Sequence, residues 1–308
     1  MKRTLLIGFS ALALLFAACP NHLFFPPEEE ELTPLEMVMV RGGNFTLGED
    51  LFDQNENCIP TSQVTLDTFF ISRYPVTQEQ FYQIMGHNPS HFTLSQRPLQ
   101  AGETNALLRP VEMVSWYDAI VFSNRLSYRE GLTLAYRIPG IPESADATWW
   151  NDPNLVIPAA NDAVWDAVIV EPGADGYRLP TEAQWEFAAK GGTAGGNFSY
   201  AGSNDIDAVA WHLGNSGGGT RQVGAPMSPN ALGIYNMSGN VYEWVWDWYA
   251  PYTAAGKNNP AGPALGTDRI ARGGAWDFSS DARLVDRVIG AQGPSTRNDV
   301  IGFRLVTP

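Results

Sequence analysis

One residue in six of this 308-residue chain is glycine or proline, 30 and 22 of them respectively. Backbone breakers at that density forbid long regular elements, so a helical bundle or a coiled coil is excluded and a turn-rich, loop-rich globular fold is expected. Hydrophobic residues make up 44% of the chain and include 10 tryptophans, enough for a sizeable core, which excludes wholesale disorder.

The few regular stretches are marked by their starts. Thr77 with Gln80 three residues on opens a helical run to residue 85, and Ser115 with Asp118 opens a second to residue 126. Thr181 caps a third that runs to residue 189 and is stopped by Gly191-Gly192. Val38-Met39-Val40 ahead of Gly42-Gly43 reads as a strand ending in a turn. Residues 64–71 alternate and read as one strand, and the Pro-, Asp- and Trp-rich residues 137–175 read as loops with a short hairpin. No repeat occurs three times and no second linker follows residue 37, so one α+β domain over 37–308 is expected.

The N-terminus reads differently. Lys2 and Arg3 precede an apolar run over residues 5–18, and Ala17-Ala18 lead into Cys19. Residues 1–18 read as a secretory signal, too short for a permanent transmembrane helix. A cysteine after small residues resembles the lipobox of bacterial lipoproteins, with Phe16 standing where leucine is usual. That resemblance implies lipidation at Cys19 and stable membrane anchoring; an ordinary cleaved signal is the alternative. Residues 19–36 carry four prolines and a run from Glu28 to Glu31, the composition of an acidic, solvated tether. Export and lipidation leave Cys58 without an intramolecular disulfide partner. They also take the formal charge from −14 to −16, with Lys190 and Lys257 the remaining lysines. Such a balance argues against nucleic acid and against electrostatic docking on anionic lipid.

Seven segments, in order, carry a family resemblance: 39–48 (MVRGGNFTLG), 70–81 (FISRYPVTQEQF), 110–119 (PVEMVSWYDA), 176–192 (GYRLPTEAQWEFAAKGG), 230–248 (NALGIYNMSGNVYEWVWDW), 272–276 (RGGAW) and 301–306 (IGFRLV). They resemble the formylglycine-generating-enzyme type of sulfatase-modifying domain over nearly all of 37–308. The resemblance implies an α+β, loop-rich C-type lectin-like fold. Enzymes of this type are copper-dependent oxidases that convert a substrate cysteine to formylglycine. They use a cysteine pair shortly after a Gly-Gly-Ser-Trp-like segment. Here Gly273-Gly274-Ala275-Trp276 has no such pair behind it, because no cysteine follows Cys58. Without thiolates to hold copper(I), neither copper nor oxidase activity is expected. A related iron-dependent branch uses three histidines; His87 and His91 flank Asn88-Pro89, which breaks the helix a metal pair needs, and they read as loop residues.

The same resemblance implies a structural calcium ion where Tyr235-Asn236 leads into Gly239-Asn240-Val241 and Glu243-Trp244. The ligands carried over are the carbonyls of Asn236, Gly239 and Val241 and the carboxylate of Glu243, a hard-oxygen set. His212 stands where the family's other calcium site begins with asparagine, so that site is not carried over.

Residues 273–306 resemble the variable region of diversity-generating retroelement proteins, which use this fold and include surface lipoproteins. Randomised template adenines turn asparagine codons into a set that excludes Glu, Lys, Gln, Met and Trp. Residues 277–300 hold none of these but Gln292, and their acids are all aspartate: Asp277, Asp281, Asp286 and Asp299. Arg283, Arg287, Pro294, Arg297 and Gly302-Phe303-Arg304 read as a fixed frame, with the glycine-flanked ends brought together by paired core strands. The ligand face expected is Trp276, Asp277, Phe278, Ser279, Asp281, Asp286, Val288, Ile289, Asn298 and Asp299, with Phe278, Val288 and Ile289 as apolar anchors. The function implied is a non-catalytic, surface-displayed monomer that binds a protein or glycan on another cell or surface. The alternatives are an invariant scaffold or adhesion lipoprotein of the same fold, or a formylglycine-generating oxidoreductase.

Overall fold

The structure is a computed structural model that describes residues 32–48, 58–224, 226–279, 287–288 (backbone only) and 293–308. Thr33–Pro308 forms one contact-defined unit. Its strands are β1 (Met37–Val40), β2 (Gly43–Leu47), β3 (Ser62–Leu66), β4 (Phe69–Ser72), β5 (Tyr136–Arg137), β6 (Ile169–Val170), β7 (Tyr242–Trp248), β8 (Lys257–Asn258), β9 (Arg269–Arg272), β10 (Arg287–Val288), β11 (Ile301–Phe303) and β12 (Val306–Thr307). Its α-helices are α1 (Gln78–Met85), α2 (Trp116–Arg129), α3 (Ala147–Trp150), α4 (Ala163–Asp166), α5 (Glu182–Ala189) and α6 (Ile206–Val209). The strands form sheets in the orders β1-β4-β12, β2-β3-β8 and β10-β9-β7-β11, with β5 and β6 as a separate pair.

The three longer helices begin where their capping residues dictate. Thr77, Ser115 and Thr181 each accept a hydrogen bond from the backbone three residues on, and Gln80, Asp118 and Gln184 each reach back to the cap's own N–H. Each such cap contributes about 1 kcal/mol. α1 ends at Gly86 in the left-handed region.

Residues 64–71 are not one strand. Asp67 and Thr68 are both exposed, which slips the inside–outside alternation by one residue, and the chain leaves β3 in one sheet to enter β4 in another. The corner has its own partners: the Asp67 N–H donates to Asn259 Oδ1 at 2.9 Å and Thr68 Oγ1 accepts the Gly42 N–H at 3.0 Å. Because Phe70, apolar though exposed, keeps the even-numbered period of Val64 and Leu66, a period-2 count passes over the corner.

The main core lies where α5 meets β3, β4 and β7, through Leu66, Ile71, Trp185, Phe187, Val245 and Ile270. All eight residues of α5 are buried, including two glutamates. Their charge is met by Arg272, which pairs with Glu186 and lies 3.5 Å from Glu182. Although burial opposes the charged form of Glu186, Lys190 and Arg272 hold its carboxyl below the usual range. A second buried cation, Arg269, is stacked between Trp116 and Trp248 at 3.6 and 3.4 Å from their ring centroids. Its pKa is pulled down to about 9, chiefly by burial. Among the described residues no helix is long and apolar enough to cross a membrane.

Candidate ligand-binding face

The two ends of the 273–306 segment are brought together by the central strand β7. β9 runs antiparallel along one side of it, with Glu243 opposite Arg272, and β11 runs parallel along the other, with Gly302 opposite Glu243. The framing strands therefore flank β7 rather than pairing with each other, as the sequence had suggested.

Where it is described, the backbone between these strands is held by distant parts of the chain. Gly273 O accepts from Gly239 N at 2.7 Å, and the Trp276 N–H donates to Asn240 O at 2.9 Å. Trp276 O accepts from Ser216 Oγ at 2.9 Å, and Phe278 O from Leu213 N at 3.0 Å. On the returning limb, Pro294, Asn298 and Val300 carbonyls accept from the backbone N–H groups of Trp116, Met113 and Tyr242 at 2.8–3.0 Å. Arg297 grips Asp118 with two bonds of 2.9 and 3.0 Å, the same aspartate that completes the capping box of α2. Trp276 Nε1 donates to Asp299 O at 3.1 Å and so ties one limb to the other. With the backbone satisfied in this way, side chains can change without loss of its hydrogen bonds.

Asp277, Phe278, Ser279 and Asn298 are exposed, and Trp276 and Asp299 are half-buried. The Phe278 ring keeps 39% exposure and stands edge-on to Tyr242 at 5.6 Å. Trp276 meets Phe92 edge-on at 5.2 Å. Leu213, 59% exposed, is bonded by its backbone to Phe278 and adds an apolar contact that the sequence did not reveal. Tyr242 and Phe92 were missed in the same way, because all three come from segments remote in sequence. Of the expected face, Asp281, Asp286 and Ile289 lie outside the described residues; for Val288 the backbone is described, opposite Ala271 in the β10–β9 pair.

The face is acidic. Partial desolvation pushes the Asp277 carboxyl up, and the negative charge of Asp299 adds to the shift. Beneath it, Glu112 is fully buried and accepts the backbone N–H groups of Phe92 and His91 at 2.9 and 2.8 Å. Desolvation outweighs those two bonds, Asp299 adds to it, and the Glu112 pKa is pushed up to about 7.

The expected calcium set does not fit. Glu243 is fully buried and both its carboxylate oxygens are engaged: Arg304 Nε and Trp185 Nε1 donate to Oε2 at 2.6 and 2.7 Å, and Arg304 Nη2 to Oε1 at 2.7 Å. A divalent cation there would face a guanidinium that already neutralises the carboxylate. The Asn236–Glu243 stretch instead has a structural role. Asn236, Gly239 and Asn240 adopt positive φ of 55, 73 and 70°. A Cβ on Gly239 would come within 2.3 Å of Trp211 O, so only glycine permits this approach. The Asn240 side chain exchanges two 2.9 Å bonds with the Arg221 backbone, while its own N–H donates to Trp211 O at 2.8 Å. Val241, between these contacts and β7, is buried. Among the described residues no three His, Cys, Asp or Glu side chains converge to take a metal, and His87 and His91 are exposed loop residues.

Residues 24–308 match the model of the sulfatase-modifying factor enzyme 1-like domain. The chain is 38% identical over 258 residues to a protein named chaperone protein LppX from Paenibacillus barcinonensis, covering 78% of each. It is 32% identical over 288 residues to the formylglycine-generating enzyme of Streptomyces coelicolor, covering 87% of each. The solved structure of Treponema denticola variable protein 1 superposes with a TM-score of 0.77 at 36% identity, over 88% of this chain and 94% of that one. Of the segments that held the resemblance in the sequence, 230–248, 272–276 and 301–306 contribute to the sheet around β7, and 110–119 holds the returning limb. The chain thus belongs to the sulfatase-modifying factor enzyme 1-like domain family, in its loop-rich, C-type lectin-like fold.

Proposed function

We propose that this protein is a non-catalytic ligand-binding protein whose contact surface is the 273–300 segment, diversified by a retroelement and displayed from a membrane through a lipid on Cys19. One observation carries the reading. At the described ends of the segment the backbone is clamped by Gly239, Asn240, Leu213, Ser216 and Met113, while Asp277, Phe278, Ser279 and Asn298 keep their side chains exposed. A surface that must accept many sequences needs this division between fixed backbone and free side chains. The likeness to a variable protein over most of both chains supports it. So does the lack of any cysteine after Cys58, which leaves the oxidase chemistry of the enzyme relatives without its thiolates. The ligand is a protein or glycan on another surface, met by Phe278 and Leu213 as apolar contacts amid polar ones. The decisive test is genetic. A near-copy of the coding segment for 273–306 beside a reverse transcriptase gene, differing at template adenines, is expected; an isolated gene of invariant sequence across strains would overturn diversification.

A chaperone role is a second reading, favoured by the 38% identity to a protein named as a chaperone. Holding an unfolded client would use the same Leu213–Phe278 apolar surface. Suppression of aggregation of an unrelated denatured enzyme by the purified protein would favour it over specific recognition.

A further inference from the structure

A cavity of about 330 Å³ opens between the β3–β4 corner, β6, β7 and the start of α5, and it shares no residue with the 273–300 face. Its apolar walls are Leu66, Phe69, Val170 and Trp246, and its one cation is Arg178. The backbone of Arg178 is fixed by paired bonds to Val306 at 2.9 and 2.8 Å. Its guanidinium is oriented from one side only: Nη1 donates to Leu179 O at 3.1 Å and to Gln184 Oε1 at 2.9 Å. Gln184 is itself locked by the capping box of α5. Among the described residues nothing accepts from Nε or Nη2, and no carboxylate lies within ion-pair distance of Arg178. Arg178 is half-buried, and neither nitrogen is among the sealed-off, unpartnered polar atoms. Burial lowers the pKa of this group, the direction expected of a cation short of compensation, and Tyr136 and Asp247 offset it only in part.

The Nε–Nη2 edge of an arginine carries two parallel N–H donors, spaced for the two oxygens of a carboxylate. One such edge without a second cation suits a monoanion better than a phosphate dianion. Among the side chains that line the cavity the one carboxylate, Asp67, is exposed and accepts from Asn259 Nδ2 at 2.8 Å, so solvent screens it. The wall chemistry calls for an apolar body behind the acid group, as in ligand pockets generally. We infer that this cavity is a binding site for a small organic carboxylate with an aromatic or branched aliphatic body, held by the free edge of Arg178 against Trp246 and Phe69.

The probe is 3-phenylpropionate, with its neutral amide, 3-phenylpropanamide, as control, titrated into the purified protein and followed by saturation-transfer NMR and calorimetry. Saturable binding of the acid is expected, with affinity for the amide weaker by about tenfold or more, as the loss of a charge-assisted pair implies. Arg178→Met should abolish the preference for the acid. Should that variant not fold, Val170→Trp, which fills the cavity without touching Arg178, should abolish binding with the thermal transition retained. Equal binding of acid and amide, unchanged binding in a folded Val170→Trp protein, or no saturable binding of the acid overturns the assignment. Replacement of Phe278 should leave the titration unchanged, which separates failure here from failure of the ligand-face reading.

Discussion

Glu243→Gln isolates the role of the buried carboxylate at the centre of the fold. Both Glu243 and Arg304 are fully buried. In the wild type, Oε2 receives Arg304 Nε and Trp185 Nε1 while Oε1 receives Arg304 Nη2. A glutamine can place its oxygen toward the first two donors only by turning its amide N–H toward Nη2, a donor against a donor. The guanidinium also loses its counter-charge. Breaking a buried pair by removal of one partner costs about 3–5 kcal/mol. Arg304 keeps carbonyl acceptors at Ser72 and Tyr235, both at 2.9 Å, which argues for the lower end, about 3 kcal/mol. For a domain of this size that is a fall in Tm of roughly 6–12 °C. The assay is urea and thermal unfolding of both proteins, each with calcium and with chelator. The wild type should show the same transition in both, and the variant should be destabilised by the same amount in both. If chelator lowers the wild-type transition and the variant no longer responds, Glu243 serves a calcium ion and its assignment to Arg304 is wrong.

Three further outcomes follow from the geometry. Glu112 has a folded pKa of about 7, above its ordinary 4.5, so the folded state holds its proton longer than the unfolded chain. Its contribution to stability should therefore be lost as pH rises from about 4.5 to about 7, by about 3 kcal/mol. Urea titrations across that range should have a steeper fall in the wild type than in Glu112→Gln, and parallel curves would refute the burial argument. Phe278→Ser should cost about 1–2 kcal/mol, because the ring is only partly covered, and should abolish ligand binding with the fold intact; a larger loss assigns Phe278 to the core. Gly239→Ala should destabilise by about 2 kcal/mol or more, since the new Cβ meets Trp211 O from a positive φ, as read from the shift in urea midpoint.

What the sequence made legible was local. The starts of α1, α2 and α5 were readable because cap and partner lie three residues apart. The flanks of the 273–306 segment were readable because Gly273-Gly274 and Gly302 punctuate them. What depended on distant pairing was not. Residues 64–71 were read as one strand because the corner at Asp67-Thr68 is set by Gly42 and Asn259, both remote in sequence. Glu243 was assigned to calcium on the family resemblance, and its pairing with Arg304, 61 positions away, has no local signature. Leu213, Tyr242 and Phe92 join the face only through tertiary contacts. Trp276 was assigned to the expected face, but its 3.1 Å tie to Asp299 O, which links the two limbs, has no local signature.

The division of labour between clamped backbone and free side chains can be measured by randomising Asp277, Phe278, Ser279, Asn298 and Asp299 together in a surface-displayed library and selecting against several unrelated proteins. If these positions form the ligand surface, most unselected clones remain folded, and each target enriches its own set of residues at these five positions, with binding lost on reversion. A library in which most clones fail to fold, or one that folds but yields no target-specific binders, contradicts it.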